Sequence, residues 1–277
     1  HDPDVVYLGG NRLFRSTDRG DSWTASGDLT KEIDRCAIAI MGAGGDEHQL
    51  EKNDGVVWYG TIVSVAESPV QAGVVWAGTD DGTLQVSRDG GRTFTDVSGN
   101  LPELPPGHDY FISKIEPSHF DAGSAYVAVD GHRSDDLRPY VFVTHDLGHS
   151  FRRITTGLPA RGNVLVVRED PKNKNLLYVG TEFGLYISLN GGQKWEPFMN
   201  NYPTVRTDDI LIHPRDGDAI IATHGRSIWI ADDITALQQF TPAVAAEDVH
   251  LFDVRPAIAY HNDYQASQQI GGQKVFV

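Results

Sequence analysis

The feature that most constrains this sequence is a short polar box that occurs four times. Each copy carries Ser or Thr, then Asp or Asn two positions later, then Gly after two more, and it closes on Trp or Phe. The shared positions are Ser16, Asp18, Gly20 and Trp23; Ser87, Asp89, Gly91 and Phe94; Thr144, Asp146, Gly148 and Phe151; and Ser188, Asn190, Gly192 and Trp195. Such self-similarity indicates repeated copies of one supersecondary unit. The unequal spacing of the copies favours modules with loop insertions over a rigid solenoid.

The residue types in the box predict a turn. An Asp or Asn side chain accepts hydrogen bonds from backbone N–H groups, and the Gly that follows adopts a positive φ without steric cost. The hydroxyl of the first residue offers a second local bond. The closing aromatic residue is expected to begin the next strand and to pack between neighbouring sheets. We therefore expect the boxes to be structural, with a direct contact to a ligand as the alternative.

Short apolar runs precede the boxes in pairs and predict strands. Residues 74–79 and 84–86 precede the second box, and residues 176–181 and 185–187 precede the fourth. Runs this short, bounded by turn residues, are typical of β-structure. A degenerate fifth copy follows at residues 219–233. No amphipathic helix longer than two turns is predicted, so the expected fold class is all-β.

Charge and composition exclude several classes of function. The chain has 23 Lys and Arg against 38 Asp and Glu, and its net charge of −15 argues against binding to nucleic acid. No run approaches the ~20 apolar residues of a membrane span. The single cysteine, Cys36, excludes an intrachain disulfide. The Gly-rich stretch 41–48 lacks the Gly-Lys-Ser/Thr of a P-loop, and no tight histidine cluster marks a metal site, so neither a cofactor nor a metal is expected.

The four boxes resemble the Asp-box, or BNR, signature of sialidases, sortilin-type receptors and two-propeller xyloglucanases. Three further runs, at residues 76–82, 125–133 and 222–233, resemble the late part of large bacterial sortilin-like proteins, which are commonly labelled glycosyl hydrolases. The resemblance covers about residues 1–255. It indicates a fold more than an activity, because this fold carries unrelated functions.

The resemblance implies an all-β propeller built from four-stranded antiparallel blades. Counting predicted strands gives about five blades, near residues 4–27, 61–98, 110–156, 163–199 and 208–234. These form a propeller segment over residues 1–240, followed at 241–277 by a return strand, expected at Val249–Val254, or by a link to a following domain. Five blades would leave unpaired sheet edges. We therefore expect both ends to continue into a longer protein, and the parent chain or a partner protein to complete a larger ring or a two-propeller protein.

Blade geometry assigns the polar residues to faces. In Asp-box propellers the box lies between strands three and four, so the turns between strands two and three share the opposite face. The long insertion 130–139 falls on that face, and loops of this kind usually carry binding surfaces. The candidate binding residues are Asp80, Asp81, Asp130, His132, Arg133, Asp135, Asp136, Arg138, Glu182, His224 and Arg226. The alternative interpretation of the insertion is a salt-bridged surface hairpin.

Two functions remain open from the sequence. The first is binding or scaffolding of a protein, peptide or glycan by a sortilin-like propeller that is secreted or lies in the periplasm or cell envelope, as the resemblance implies. The second is a glycoside hydrolase resembling the two-propeller xyloglucanases. Its candidate catalytic carboxylates are Asp81, Asp130 and Glu182, because this hydrolysis needs two carboxyl groups. We favour binding, because no catalytic motif is legible and the Arg-Ile-Pro motif of sialidases is absent.

Overall fold

Strands and turns make up most of the chain. The computed structural model describes residues 2–34, 59–107 and 109–255, together with the backbone of residues 261–262 and 275–276. The Gly-rich stretch 41–48 and Cys36, both interpreted from the sequence above, lie outside the described residues.

Five antiparallel sheets of three or four strands follow one another along the chain. Sheet 1 contains β1 (Val6–Gly9), β2 (Arg12–Ser16) and β3 (Thr24–Asp28). Sheet 2 contains β4 (Ile62–Glu67), β5 (Val75–Thr79), β6 (Leu84–Ser87) and β7 (Thr95–Asp96). Sheet 3 contains β8 (Phe111–Pro117), β9 (Ala125–Asp130), β10 (Tyr140–Thr144) and β11 (Arg152–Arg153). Sheet 4 contains β12 (Val164–Glu169), β13 (Leu177–Thr181), β14 (Gly184–Ser188) and β15 (Glu196–Pro197), and sheet 5 contains β16 (Thr207–Ile212), β17 (Ala219–Thr223) and β18 (Ile228–Ala231).

Each sheet is a simple meander in which neighbouring strands are consecutive in the chain. This confirms the predicted all-β class and the antiparallel sheets. Sheet 1 starts at what is the second strand of the other sheets, since its box lies between β2 and β3. Sheet 5 ends after its third strand.

The apolar core lies between successive sheets. Val127 and Val129 on one side of β9 pack with sheet 2, whereas Tyr126 and Ala128 on its other side pack with sheet 4. Similar clusters join sheet 1 to sheet 2 and sheet 4 to sheet 5. Because the central strands are covered on both faces, β5, β9 and β13 are buried along their whole length. The first strands also lie side by side, with β8 in contact with β4 and with β12, and β12 in contact with β16.

All four boxes form the same hydrogen-bonded turn. In the second box Ser87 Oγ donates to Asp89 Oδ1 at 2.8 Å and accepts from Gly91 N at 2.8 Å, while Asp89 Oδ1 accepts from Thr93 N at 2.9 Å. The equivalent three bonds occur in the other boxes. The predicted turn is thus formed by the predicted atoms.

The boxes define one face of the molecule. In sheets 2 to 4 the turn between strands one and two holds the box of the same sheet through a backbone bond, such as Gly90 N to Gly73 O at 2.9 Å and Gly191 N to Asn175 O at 2.9 Å. We call the boxes and these turns the box face. The ends of the sheets that carry the turns between strands two and three, such as residues 80–83 and 131–139, form the opposite face.

The boxes also join the sheets. The box glycines have positive φ, and a Cβ on Gly192 would lie 2.7 Å from Ile154 Cδ1 of the preceding sheet. Trp195 is buried, and its Nε1 donates to Ile154 O at 2.7 Å. Trp23 has no described sheet before it and is 42% exposed. The closing aromatic residue therefore packs between neighbouring sheets, as predicted, where a preceding sheet is present.

Beyond sheet 5 the chain forms two short helices, α1 (Thr235–Gln239) and α2 (Pro242–Ala245), and then a two-stranded pair of β19 (His261–Asn262) and β20 (Val275–Phe276). Residues 249–255 form no strand, and Val249, Leu251 and Val254 are at least 85% exposed. The return strand expected at Val249–Val254 is therefore not formed, and the link to a following domain stays a prediction. No helix among the described residues has the length and apolar character to cross a membrane.

Candidate functional site

Each first strand of sheets 2 to 5 carries a β-bulge at its second or third residue. In sheet 3, Ile112 pairs with Val129 and Lys114 with Ala128, which leaves Ser113 without a partner residue. The same register shift leaves one residue without a partner in each of the other first strands: Leu165 in β12, Asp208 in β16 and Val63 in β4. Bulges redirect a side chain and interrupt pairing. Here they place one extra residue per sheet near the opposite face.

Three of these bulge residues line a cavity of about 200 Å³ at the opposite face. Its lining residues are Phe111, Ser113, Asp130, His132, Arg133, Leu165, Arg206 and Asp208. The cavity is therefore built by sheets 3, 4 and 5 together. It brings together three residues that the sequence predicted for a site, Asp130, His132 and Arg133.

Asp130 orients His132. Asp130 is 4% exposed; its Oδ1 accepts from the backbone N of His132 at 2.9 Å, and its Oδ2 lies 2.7 Å from His132 Nδ1. A carboxylate on Nδ1 places the proton of a neutral imidazole on that nitrogen. In that form Nε2, on a side chain that is 49% exposed, is an acceptor for a hydrogen bond. Asp130 is thus a positioning residue rather than a carboxylate free to act on a substrate.

Arg133 supplies an available positive charge. Its Cζ lies 4.9 Å from the centre of the Phe111 ring, a cation–π arrangement. Within residues 2–34, 59–107 and 109–255, Arg133 makes neither a salt bridge nor a side-chain hydrogen bond. The ring packs against the guanidinium, and the charge of Arg133 partly offsets the rise in the pKa of buried Asp80. No described residue accepts a hydrogen bond from its N–H groups, which are available to a ligand.

The far wall of the cavity holds a charge pair. Arg206 Nε donates to Asp208 Oδ1 at 2.7 Å. Asp208 Oδ2 lies 3.8 Å from His224 Nδ1, so the predicted residue His224 reaches the site through Asp208. Arg226, also predicted, is exposed and does not line the cavity.

The rest of the insertion is a closed network. Arg138 donates to both oxygens of Asp136, at 2.8 and 2.7 Å, and the hydroxyls of Tyr110 and Tyr140 donate to Asp136 Oδ2 at 2.9 and 2.7 Å. These hydrogen bonds, above all those from Arg138, hold the pKa of Asp136 well below its usual range. This part of the insertion fits the salt-bridged hairpin considered from the sequence. Asp135 is exposed next to it and lies outside the cavity lining.

Asp80 and Asp81 lie in the turn between β5 and β6, but their side chains point into the protein. Asp81 is fully buried; its Oδ2 accepts from Lys31 N at 2.8 Å and its Oδ1 from the Thr79 hydroxyl. Asp80 is 2% exposed and accepts from Thr61 N at 2.7 Å. Burial raises the pKa of Asp80, and the charge of Asp81 adds to that effect. Both aspartates tie the chain between sheets 1 and 2 to sheet 2.

Glu182 is the remaining candidate. It lies exposed in the turn between β13 and β14, where its backbone N donates to Asn163 O at 3.0 Å. It does not line the cavity. The structure therefore does not bring Asp81, Asp130 and Glu182 together around one cleft.

Five cavity residues were not predicted from the sequence: Phe111, Ser113, Leu165, Arg206 and Asp208. Phe111 begins β8 and reads as an ordinary strand residue. The bulges depend on the register of two strands, which a single strand does not reveal. Only Arg206 and Asp208 could have been found from the sequence, because these two charged residues flank Thr207 at the start of an apolar strand.

A second cavity, of about 300 Å³, lies toward the box face. Arg168 there donates to Glu116 Oε2 at 2.7 Å and to Asp209 Oδ1 at 3.0 Å. Glu169 is 3% exposed and burial raises its pKa, while it accepts from His119 N at 2.6 Å. These charges are paired with one another, which makes this cavity a cross-link between sheets. Among the described residues no group of three or more His, Cys, Asp or Glu could hold a metal ion.

Comparison with known proteins places the fold. No protein-family model matches the chain, and no curated protein matches it. Solved structures do match. An ancestral GH74 enzyme is 23% identical with a TM-score of 0.56, over 80% of this chain and 27% of its own. The GH74 xyloglucanase from Xanthomonas campestris is 20% identical with a TM-score of 0.53, over 87% and 36%.

A third match is the extracellular domain of BT4673 from B. thetaiotaomicron, 14% identical with a TM-score of 0.54, over 83% of this chain and 26% of its own. The chain therefore spans between about a quarter and about a third of the length of these structures. At these identities the likeness concerns the fold alone. The five sheets of this chain match the blades of β-propeller structures.

Proposed function

We propose that this chain is an extracytoplasmic Asp-box propeller segment, similar to sortilin-type domains, that binds or scaffolds a protein, peptide or glycan. The observation that carries this proposal is the cavity at the opposite face, which three sheets build and in which Arg133 makes no ion pair among the described residues. A fixed, exposed cation beside an oriented imidazole suits a polar ligand. The match to an extracellular domain and the resemblance to Asp-box families are the reasons to place it outside the cytoplasm.

The outer sheet edges support a protein contact. In the part of the chain that the structure describes, sheet 1 has no first strand beside β1 and sheet 5 has no fourth strand beside β18, whereas sheets 2 to 4 have all four strands. Apolar side chains of β1 and β18 are exposed, with Leu8 at 59%, Ile228 at 64% and Ile230 at 58%. Unpaired strand edges readily accept another strand. We propose that the rest of the parent chain, or a partner protein, covers these edges and completes the ring.

The alternative is a glycoside hydrolase resembling the xyloglucanases. It requires two carboxyl groups facing one cleft, about 5–10 Å apart. Asp81 is fully buried with hydrogen bonds to both oxygens, and Asp130 holds His132. These contacts weigh against the enzyme and favour the binding proposal.

A glycan and peptide array tests the proposal with wild-type protein and two matched variants. Arg133→Ala removes the free cation of the opposite face, and Arg92→Ala removes an exposed arginine from the box face. We expect binding that Arg133→Ala abolishes and Arg92→Ala retains. Sensitivity to Arg92→Ala alone would overturn the proposal. Release of reducing sugar from xyloglucan by the wild type, lost in Glu182→Gln, would instead favour the hydrolase.

A further inference from the structure

We propose that the cavity at the opposite face binds a sugar acid, with the ligand carboxylate on Arg133 and a ligand hydroxyl on His132. This rests on the proposed binding function and names the ligand class. The ligand is a hexuronate, either free or as one unit of an acidic glycan.

The charged side chains of the cavity are arranged to bind one carboxylate group of a ligand. Asp130 is held by His132, and Asp208 by Arg206. Arg133 is left as the cation without a carboxylate partner among the described lining residues. A guanidinium presents a planar fork of N–H donors that matches a carboxylate with two parallel bonds. Because the ring of Phe111 already holds the guanidinium at 4.9 Å, little of its freedom is lost when the ligand binds.

The second contact selects a hydroxyl. In the neutral form of His132, the contact between Nδ1 and Asp130 Oδ2 puts the ring proton on Nδ1 and leaves Nε2 as an acceptor. An O–H group of the ligand is a suitable donor to such an acceptor. A hydroxyl and a carboxylate on one small molecule describe a hydroxy acid, and the apolar side chains of Phe111 and Leu165 suit the C–H face of a sugar ring.

Size and overall charge narrow the ligand further. The cavity volume of about 200 Å³ lies below the ~300–1,000 Å³ of sites for drug-sized molecules, so it takes one ring rather than several. The net charge of −15 repels a dense polyanion at long range. A single acidic ring satisfies both conditions.

Isothermal titration calorimetry tests this with D-galacturonate, its methyl ester, D-galactose and trigalacturonate. We expect the free acid to bind more tightly than the ester or galactose by about tenfold or more, the usual effect of a hydrogen bond to a charged group. Arg133→Ala removes that preference, and Arg133→Lys restores it in part because lysine keeps the charge without the fork. Arg92→Ala, on the box face, leaves it unchanged. Equal binding of monomer and trimer indicates that one ring fills the cavity, whereas tighter binding of the trimer assigns the site to a glycan chain.

Equal binding of acid and ester, or a preference for acid that survives Arg133→Ala, would overturn the inference. His132→Ala provides an independent check, because it should weaken galacturonate and galactose alike. If the arrays reveal a neutral ligand that needs Arg133 while galacturonate does not bind, the binding function stands and the sugar acid is wrong. If no ligand of the arrays binds and galacturonate also fails, both proposals fall.

Discussion

The box face and the opposite face use the same residue types for different ends. On the box face each aspartate is bound within its own turn by residues a few positions away, as Asp89 is by Ser87 and Thr93. On the opposite face the carboxylates bind distant parts of the chain or orient a neighbour, as Asp81 does with Lys31 and Asp130 with His132. Local bonds repeat because the sequence repeats. Distant bonds differ from sheet to sheet, and they leave room for a site.

The largest expected effect tests whether the boxes join the sheets. Gly192→Ala places a Cβ 2.7 Å from Ile154 Cδ1 at a φ of +81°. The positive φ and the overpacking together should lower the free energy of unfolding by about 3 kcal/mol. Gly99→Ala is the control, since nothing lies within 4 Å of its Cβ position and its φ is not positive. Urea unfolding measures both, and equal losses would mean that Gly192 is not a joint between sheets.

A second variant removes one turn. Asp89→Ala deletes the acceptor of four hydrogen bonds, from Ser87, from Arg92 N and from the N and hydroxyl of Thr93. We expect a loss of about 1–3 kcal/mol in stability, and the same for Asp146→Ala. Asp89→Asn should keep most of it, because Asn190 fills this position in the fourth box. Full stability of Asp89→Ala with loss of ligand binding would show that the box contacts a ligand.

Lowering the pH should weaken the box that contains Asp146. Hydrogen bonds, first from the Ser150 hydroxyl, lower the pKa of Asp146 to about 2, below the ~3.9 of an unfolded aspartate. A lowered folded-state pKa contributes stability above pH ~4 that is lost as the pH falls through about 2. The melting temperature of Asp146→Asn should therefore fall less than that of the wild type between pH 5 and 2. A steeper fall in the variant would contradict this sign.

The smallest effect concerns an exposed residue of the opposite face. Glu182 has no described side-chain partner, so Glu182→Ala should change the free energy of unfolding by less than ~0.5 kcal/mol. Thermal denaturation compares it with Asp81→Ala, which breaks buried bonds. A loss as large as that of Asp81→Ala would show that Glu182 serves the fold.

The sequence predicted the sheets better than the site for a physical reason. The three hydrogen bonds repeated in every box join atoms within eight residues, so one stretch of sequence contains the donors and acceptors of the turn. The turn that holds Asp81 depends on Lys31, fifty positions earlier. Nothing near Asp81 in the sequence reveals that another strand connection covers it.

The cavity residues show the same division. Asp130, His132 and Arg133 stand out because a polar loop interrupts an apolar pattern. Ser113, Leu165 and Asp208 do not, since their place in the cavity lining follows from a register shift against the second strand. The prediction of a site on the opposite face remains to be tested by binding, and so do the residues proposed for it.

The repeated bulge has a consequence for how this surface can diversify. An ordinary strand residue faces either one neighbouring sheet or the other, so its replacement disturbs packing. The bulge residue stands outside that alternation in sheets 2 to 5. It lies between two paired residues of the second strand, one of which is small in every sheet: Gly78, Ala128, Gly180 or Ala222. Serine, leucine, aspartate and valine occupy the position within this one chain. Substitution at Ser113, Leu165 or Asp208 would therefore change the lining of the cavity while the paired residues of the strands stay in place.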